Sequence, residues 1–163
     1  MGKILYHGTD DTSARNIQRN GVDLRAGRKD VDFGQGFYLT NNYGTARRHA
    51  WDTAFRNKSN AAYVLKFELD TINLSIKKFS DNHKWAGEIF NQRHYRIDNI
   101  VEDMVIGPIA DAGIVDLIND YANGNIDQKS FYGQITTKTL GTQFVIKTEK
   151  GVQRLKFKGK EKV

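Results

Sequence analysis

Three short segments of the chain concentrate residue types able to hold or polarise a bound molecule: Tyr6-His7-Gly8-Thr9, Gly34-Gln35-Gly36-Phe37-Tyr38-Leu39-Thr40 and Thr142-Gln143-Phe144-Val145-Ile146. In the first, an imidazole that can donate or accept a hydrogen bond stands beside a glycine whose bare backbone a ligand can approach. In the second, Gly-x-Gly permits a tight turn before an aromatic pair, but the third glycine of a dinucleotide-binding fingerprint is missing, so that motif is not assigned. The third sets one amide, both donor and acceptor, among alternating apolar residues. Taken singly, His-Gly and Gly-x-Gly also read as plain turns. The chain has no cysteine, which removes disulfides, thiolate metal sites and a cysteine nucleophile. His83 and His94 are too far apart for a helical i, i+4 metal pair, and no metal site is expected.

The elements that must position these residues follow from periodicity and punctuation. Lys3 to Tyr6 predicts a short strand ended by His7-Gly8-Thr9-Asp10, and Asp11 to Asn20 a helix stopped at Gly21. Val22 to Phe33, with Arg25, Gly27, Arg28, Lys29, Asp30 and Asp32, reads as a basic loop. A strand is predicted over Gly36 to Thr40, then a helix through Ala46, Ala50 and Ala54 started by Asn41, Asn42 and Gly44. Ala62 to Leu69 alternates as a half-buried strand. Further strands are predicted at Ile72 to Ile76, Met104 to Ile109 and Gly141 to Thr148, and helices from Asn82 to about Arg93 and from Ala112 to Ala122. In these helices Trp85, Ile89 and Tyr121 read as core. Val152 to Phe157 fits either a strand or a turn of helix. Strands and helices do not alternate regularly, so the predicted class is α+β with mainly antiparallel sheets.

A length of 163 residues suits one domain, taken as residues 1–157, followed by a basic tail over 158–163. Lys and Arg exceed Asp and Glu by 25 to 19, a net charge of +6 that favours anionic partners. Six of those cations, from Lys150 to Lys162, crowd the C-terminal end, which reads as a solvated polar tail ahead of a dedicated nucleic-acid contact. A mean hydropathy of -0.61, no apolar run of membrane-spanning length and no signal-peptide pattern predict a cytoplasmic protein with no membrane partner.

In this order and spacing, the three segments resemble the ADP-ribosyltransferase superfamily, on the branch shared by diphtheria toxin and the poly(ADP-ribose) polymerases. More closely, the chain resembles a family of small bacterial domains of that superfamily. It matches through Tyr6-His7-Gly8, Gly27-Arg28 followed by Asp32-Phe33-Gly34-Gln35-Gly36-Phe37-Tyr38-Leu39-Thr40, Ile106-Gly107-Pro108-Ile109-Ala110-Asp111, and Thr142-Gln143. The resemblance implies a split β-sandwich of two sheets with flanking helices and NAD, as substrate, in the cleft between them. It implies transfer of ADP-ribose to a macromolecular acceptor, protein or nucleic acid, in a toxin or effector role with an antitoxin or immunity protein as a further partner. A non-catalytic nucleotide-binding or partner-binding module of the same fold is the alternative, and an RNA 2′-phosphotransferase lacks its additional His and Arg residues here.

By the same resemblance His7, Tyr38 and Gln143 form the catalytic set, with Gly8, Thr9, Arg28, Gly36 and His49 binding the dinucleotide. His7 bonds a ribose hydroxyl, Gly8 offers its backbone to the carboxamide, and Tyr38 stacks on nicotinamide. Arg28, with Arg25 beside it, meets the pyrophosphate, and Thr9 either adds a hydroxyl contact or caps the next helix. Where the larger superfamily has a second aromatic, eleven residues beyond Tyr38, this chain has His49, with Trp51 two residues on; helix register decides between them. Gln143 replaces the usual Glu, so it can accept from a 2′-OH but offers no negative charge and no base. Glu149, six strand residues further, would lie about 20 Å away. Because nicotinamide leaves a cationic pyridinium as a neutral molecule, such a site needs orientation and transition-state electrostatics rather than a strong acid.

Overall fold

The structure, a computed structural model, describes residues 2–163 apart from Asp30, Ala112 and Lys138. Asp30 of the basic loop and the helix start at Ala112 therefore lie outside the described residues. The strands are β1 (Lys3–Asp10), β2 (Phe37–Thr40), β3 (Ala62–Leu69), β4 (Ile76–Lys78), β5 (Met104–Ala110), β6 (Thr139–Ile146) and β7 (Leu155–Lys162). The helices are α1 (Asp11–Asn20), α2 (Tyr43–Arg56), α3 (His83–Phe90), α4 (Ile114–Ala122), α5 (Gln128–Ile135) and the short α6 (Glu149–Val152). A π-helical turn, Asn91–Tyr95, continues α3.

Local chemistry explains the best-placed boundaries. Asp10 accepts from the Ser13 N–H at 2.9 Å to start α1, and Gly21, at φ +82°, takes the left-handed conformation that ends it. Asn42 caps α2 in the same way through the Thr45 N–H, 2.9 Å away. Between them the strands form a seven-stranded sheet in the order β4-β5-β6-β2-β1-β3-β7. Only β4 and β5 run parallel; every other neighbouring pair is antiparallel. The class is α+β as anticipated, but the strands register as one mixed sheet rather than two.

Side chains of alternate parity divide the core. Leu5, Phe37, Leu39, Leu65, Phe67, Phe144 and Ile146 pack on the face that carries Ala14 of α1. On the opposite face Ala46, Ala50 and Ala54 of α2 meet Ala62 and Val64. Further along that face, α3, α4 and α5 close over Val105 and Val145 with Trp85, Ile89 and Phe131, all fully buried. Burying each large side chain in this way stabilises by about 1.5–3 kcal/mol.

Four expectations change. His7 to Asp10 continue β1 instead of turning, because β3 pairs with them residue for residue. Ile72 to Leu74 form a turn, with Asn73 at φ +62° and the Leu74 N–H on the Thr71 carbonyl, so the strand there is only Ile76–Lys78. Helix α5 was missed: it buries just Phe131 and Ile135 along its length, too thin a stripe to read. Residues 158–162 of the basic segment are no tail; they belong to β7, the outer strand paired to β3 from Leu69↔Leu155 to Tyr63↔Lys162. Exposed lysines are a common means of keeping such an open edge from pairing with other chains.

Candidate functional site

Strand β1 pairs with β3 along all eight residues but with β2 only at Tyr6↔Thr40. Had the second ladder continued, Gly8 would stand opposite Tyr38. The strands part instead, and the His7 imidazole spans the opening: its Nδ1–H donates to the Tyr38 carbonyl at 2.7 Å. The ring also stacks on Phe37, with centroids 4.3 Å apart. This bond selects the tautomer that leaves Nε2 as an acceptor. Desolvation lowers the His7 pKa to about 4, against the opposing Tyr38 carbonyl and with added repulsion from His49, so the ring is neutral at pH 7.

Tyr38 meets His7 through its backbone, not its ring. By strand alternation its side chain points to the face of Val145, where it packs against the cluster of Phe33 and Trp85. Its hydroxyl donates to the Gly34 carbonyl at 2.6 Å and accepts from the Phe33 N–H at 3.0 Å. Burial raises the phenol pKa, so it stays protonated. The same loop is held from β6 by Lys147, whose Nζ donates to the Phe33 and Gln35 carbonyls and to Asp98 at 2.6, 2.7 and 2.7 Å. Phe33 itself is fully buried and stacks on Phe79.

Gln143 lies opposite Thr40 and shares the Tyr38 face. Its Nε2 donates to Asp32 Oδ2 and to the Pro108 carbonyl, both at 2.9 Å. Because a carboxylate and a carbonyl only accept, they orient the amide without ambiguity and leave Oε1 as its acceptor. Asp32 also takes the Ala110 N–H at 3.2 Å and an ion pair from Arg93, with Nε at 2.8 Å and the terminal nitrogen at 2.6 Å. Asp32 is only 4% exposed, whereas the Arg93 side chain is 23% exposed, so the carboxylate is buried and the guanidinium partly so. The π-helical turn after α3 delivers Arg93, and such turns recur at functional sites.

The remaining candidates divide. A Cβ on Gly8 would lie 1.9 Å from the Ala46 carbonyl oxygen, so this glycine is required by the close approach of α2. Gly36 is likewise packed, its Cβ position 2.7 Å from Val145 Cγ1. Thr9 is buried within β1, and the cap of α1 is Asp10. Arg28 is exposed in the loop after α1. At about 100° per residue, His49 and Trp51 occupy opposite flanks of α2. The charge of His49 reaches His7. Desolvation, then the charge of Arg56, lowers the pKa of His49, with Asp52 opposing.

The structure thus brings the His7 ring to the Tyr38 backbone at one seam, whereas by strand alternation the Tyr38 and Gln143 side chains lie on the sheet face opposite His7 and Phe37. Asp32, Arg93, Lys147 and Asp98 were missed as site residues. Asp32 was visible within its motif, but its pairing with Arg93 spans 61 positions and leaves no local signal. Two concavities of about 200 Å³ lie away from the seam, one on α1 at Arg15 and Arg19, the other beside Tyr43 and Lys160. The seam, unlike either concavity, holds the neutral histidine and the open strand edge. Among the described residues no helix is long and apolar enough to cross a membrane, and no cluster of three metal-ligating side chains occurs. No curated protein matches the chain. A family profile does match, over residues 3–157, and the chain belongs to that family, described as "Protein of unknown function (DUF3990)".

Proposed function

We propose that this chain binds NAD along the β1–β2 seam and transfers its ADP-ribose to a macromolecule. The observation that carries the reading is the 2.7 Å bond from His7 Nδ1 to the Tyr38 carbonyl, made where the ladder between β1 and β2 lapses. In this reading the two halves of the sheet, β4-β5-β6-β2 and β1-β3-β7, act as the two sheets of a split fold hinged at Tyr6↔Thr40. His7 Nε2 accepts a ribose hydroxyl, and the oriented Oε1 of Gln143 accepts the 2′-OH of the nicotinamide ribose. The bond from ribose C1′ to the pyridinium nitrogen breaks with its electron pair going to nitrogen, so nicotinamide departs neutral. An acceptor nucleophile then bonds to C1′ and releases a proton. Arg28 and His49 meet the pyrophosphate and the nicotinamide ring.

Incubation with isotopically labelled NAD and a cell lysate tests this directly. Wild type transfers label and releases nicotinamide, while His7→Ala and Gln143→Ala each lose about 10²-fold or more in rate. If wild type does neither, the transferase reading fails. A second reading, a non-catalytic nucleotide-binding module, is favoured by one observation: the nearest carboxylate to Gln143, Asp32, is already neutralised by Arg93. Calorimetric binding of NAD without nicotinamide release supports that module.

A further inference from the structure

Helix α2 has a second flank that the seam does not use. Trp51 is 46% exposed and Phe55 is 86% exposed, although both are large aromatics on a helix whose alanines are fully occupied in the core. They stand at i and i+4, about 6 Å apart along the axis, so each presents a separate ring. Arg47, one turn earlier, lies 4.5 Å over the Trp51 ring. Arg48, Arg56 and Lys58 are exposed on the same segment, and Asp52 is the one acid between Tyr43 and Lys58.

The Tyr43 end of this flank borders β7 at Glu161. A groove of about 200 Å³ lies between them, lined by Tyr6, Tyr43, Lys66, Lys160 and Glu161 among others. Tyr43 ties the two sides together: desolvation and the Glu161 carboxylate raise its phenol while Arg47 opposes them, which places both charges close to it. Exposed rings interleaved with cations differ from the core of a protein-binding patch, where lysine is depleted.

We propose that the face formed by α2 and β7 binds single-stranded nucleic acid. Bases stack on Trp51 and Phe55, and Arg47, Arg48 and Lys66 neutralise the phosphates between them. Such stacking accepts any base, so binding is strongly salt-dependent and weakly sequence-dependent. The proposal does not depend on NAD chemistry, and its test contains no NAD.

The probe is a fluorescently labelled oligothymidylate of about a dozen nucleotides, long enough for one binding face. Its anisotropy rises on adding the full chain at low salt, and the protein's own tryptophan emission is quenched. Trp85 is fully buried, so that quenching reports Trp51. Trp51→Ala and Phe55→Ala each weaken binding about tenfold. Arg47→Ala with Lys66→Ala lowers the slope of log affinity against log salt by about 1.4. Circular dichroism confirms that these surface variants fold, and Tyr95→Ala, removing an exposed aromatic elsewhere, leaves affinity unchanged. The proposal is overturned by no anisotropy change at low salt, by unchanged affinity in both aromatic variants, or by equal binding and quenching with duplex DNA.

Discussion

The two edges of β1 are built from the same eight residues and behave differently. Toward β3 every residue from Lys3 to Asp10 has a partner, and toward β2 only Tyr6 does. On the first side, Gly8, Ala62 and Val64 are small enough for α2 to press onto both strands, so nothing separates them. On the second, β2 is committed elsewhere: its other edge pairs with β6, and the loop that feeds it is anchored there by Tyr38, Lys147 and the Asp32 network. A strand edge left open by its neighbour's commitments has backbone groups to spare. His7 satisfies one of them, and a ligand can satisfy others.

The largest expected effect tests what holds β2 to β6. Arg93→Ala strands Asp32 as a buried charge and lowers stability by about 3–5 kcal/mol in urea unfolding. Asp32→Asn added to Arg93→Met recovers most of the loss, because neither charge remains. A loss below about 1 kcal/mol in Arg93→Ala would mean the network does not anchor the loop.

Gly8→Ala disturbs the zipped edge. Its Cβ meets the α2 backbone at 1.9 Å, so the helix must move, at about 1–3 kcal/mol. Amide exchange then accelerates in β3 and stays unchanged in β6. Equal acceleration in both strands would erase the distinction between the two edges.

The smallest effect sharpens the seam. His7 is 6.5 in the unfolded chain and about 4 when folded, so the unfolded chain takes up the proton first. Stability is therefore complete above about pH 6.5 and declines as pH falls toward about 4. His49, also lowered by burial, acts with the same sign. NMR titration of the His7 ring reports its midpoint, and His7→Gln flattens part of the decline. A His7 midpoint near 6.5 would place the ring in open solvent and remove it from the seam.

Legibility followed the range of each interaction. The limits of α1 and β3 were readable because Asp10, Gly21 and strict alternation act within a few residues. The motifs around His7 and Tyr38 were readable as chemistry, though not how the two meet. The amide of Gln143 was visible, whereas Asp32 as its anchor was not, since the partner lies 111 positions away. The C-terminal lysines looked like a tail because charge hides the alternation of Leu155 and Phe157, and only pairing with β3 makes them a strand.

The order of residues alone determined where α1 and β3 start and stop, which faces of the strands are apolar, and that Tyr38 and Gln143 sit on strand segments. Those properties depend on neighbours within a turn or two of chain. Tertiary structure decided which strand β2 joins, which flank of α2 turns toward His7, and how the Gln143 amide points. Each of these is a competition between distant groups for the same backbone or side-chain partner, and it has no outcome until the chain has folded.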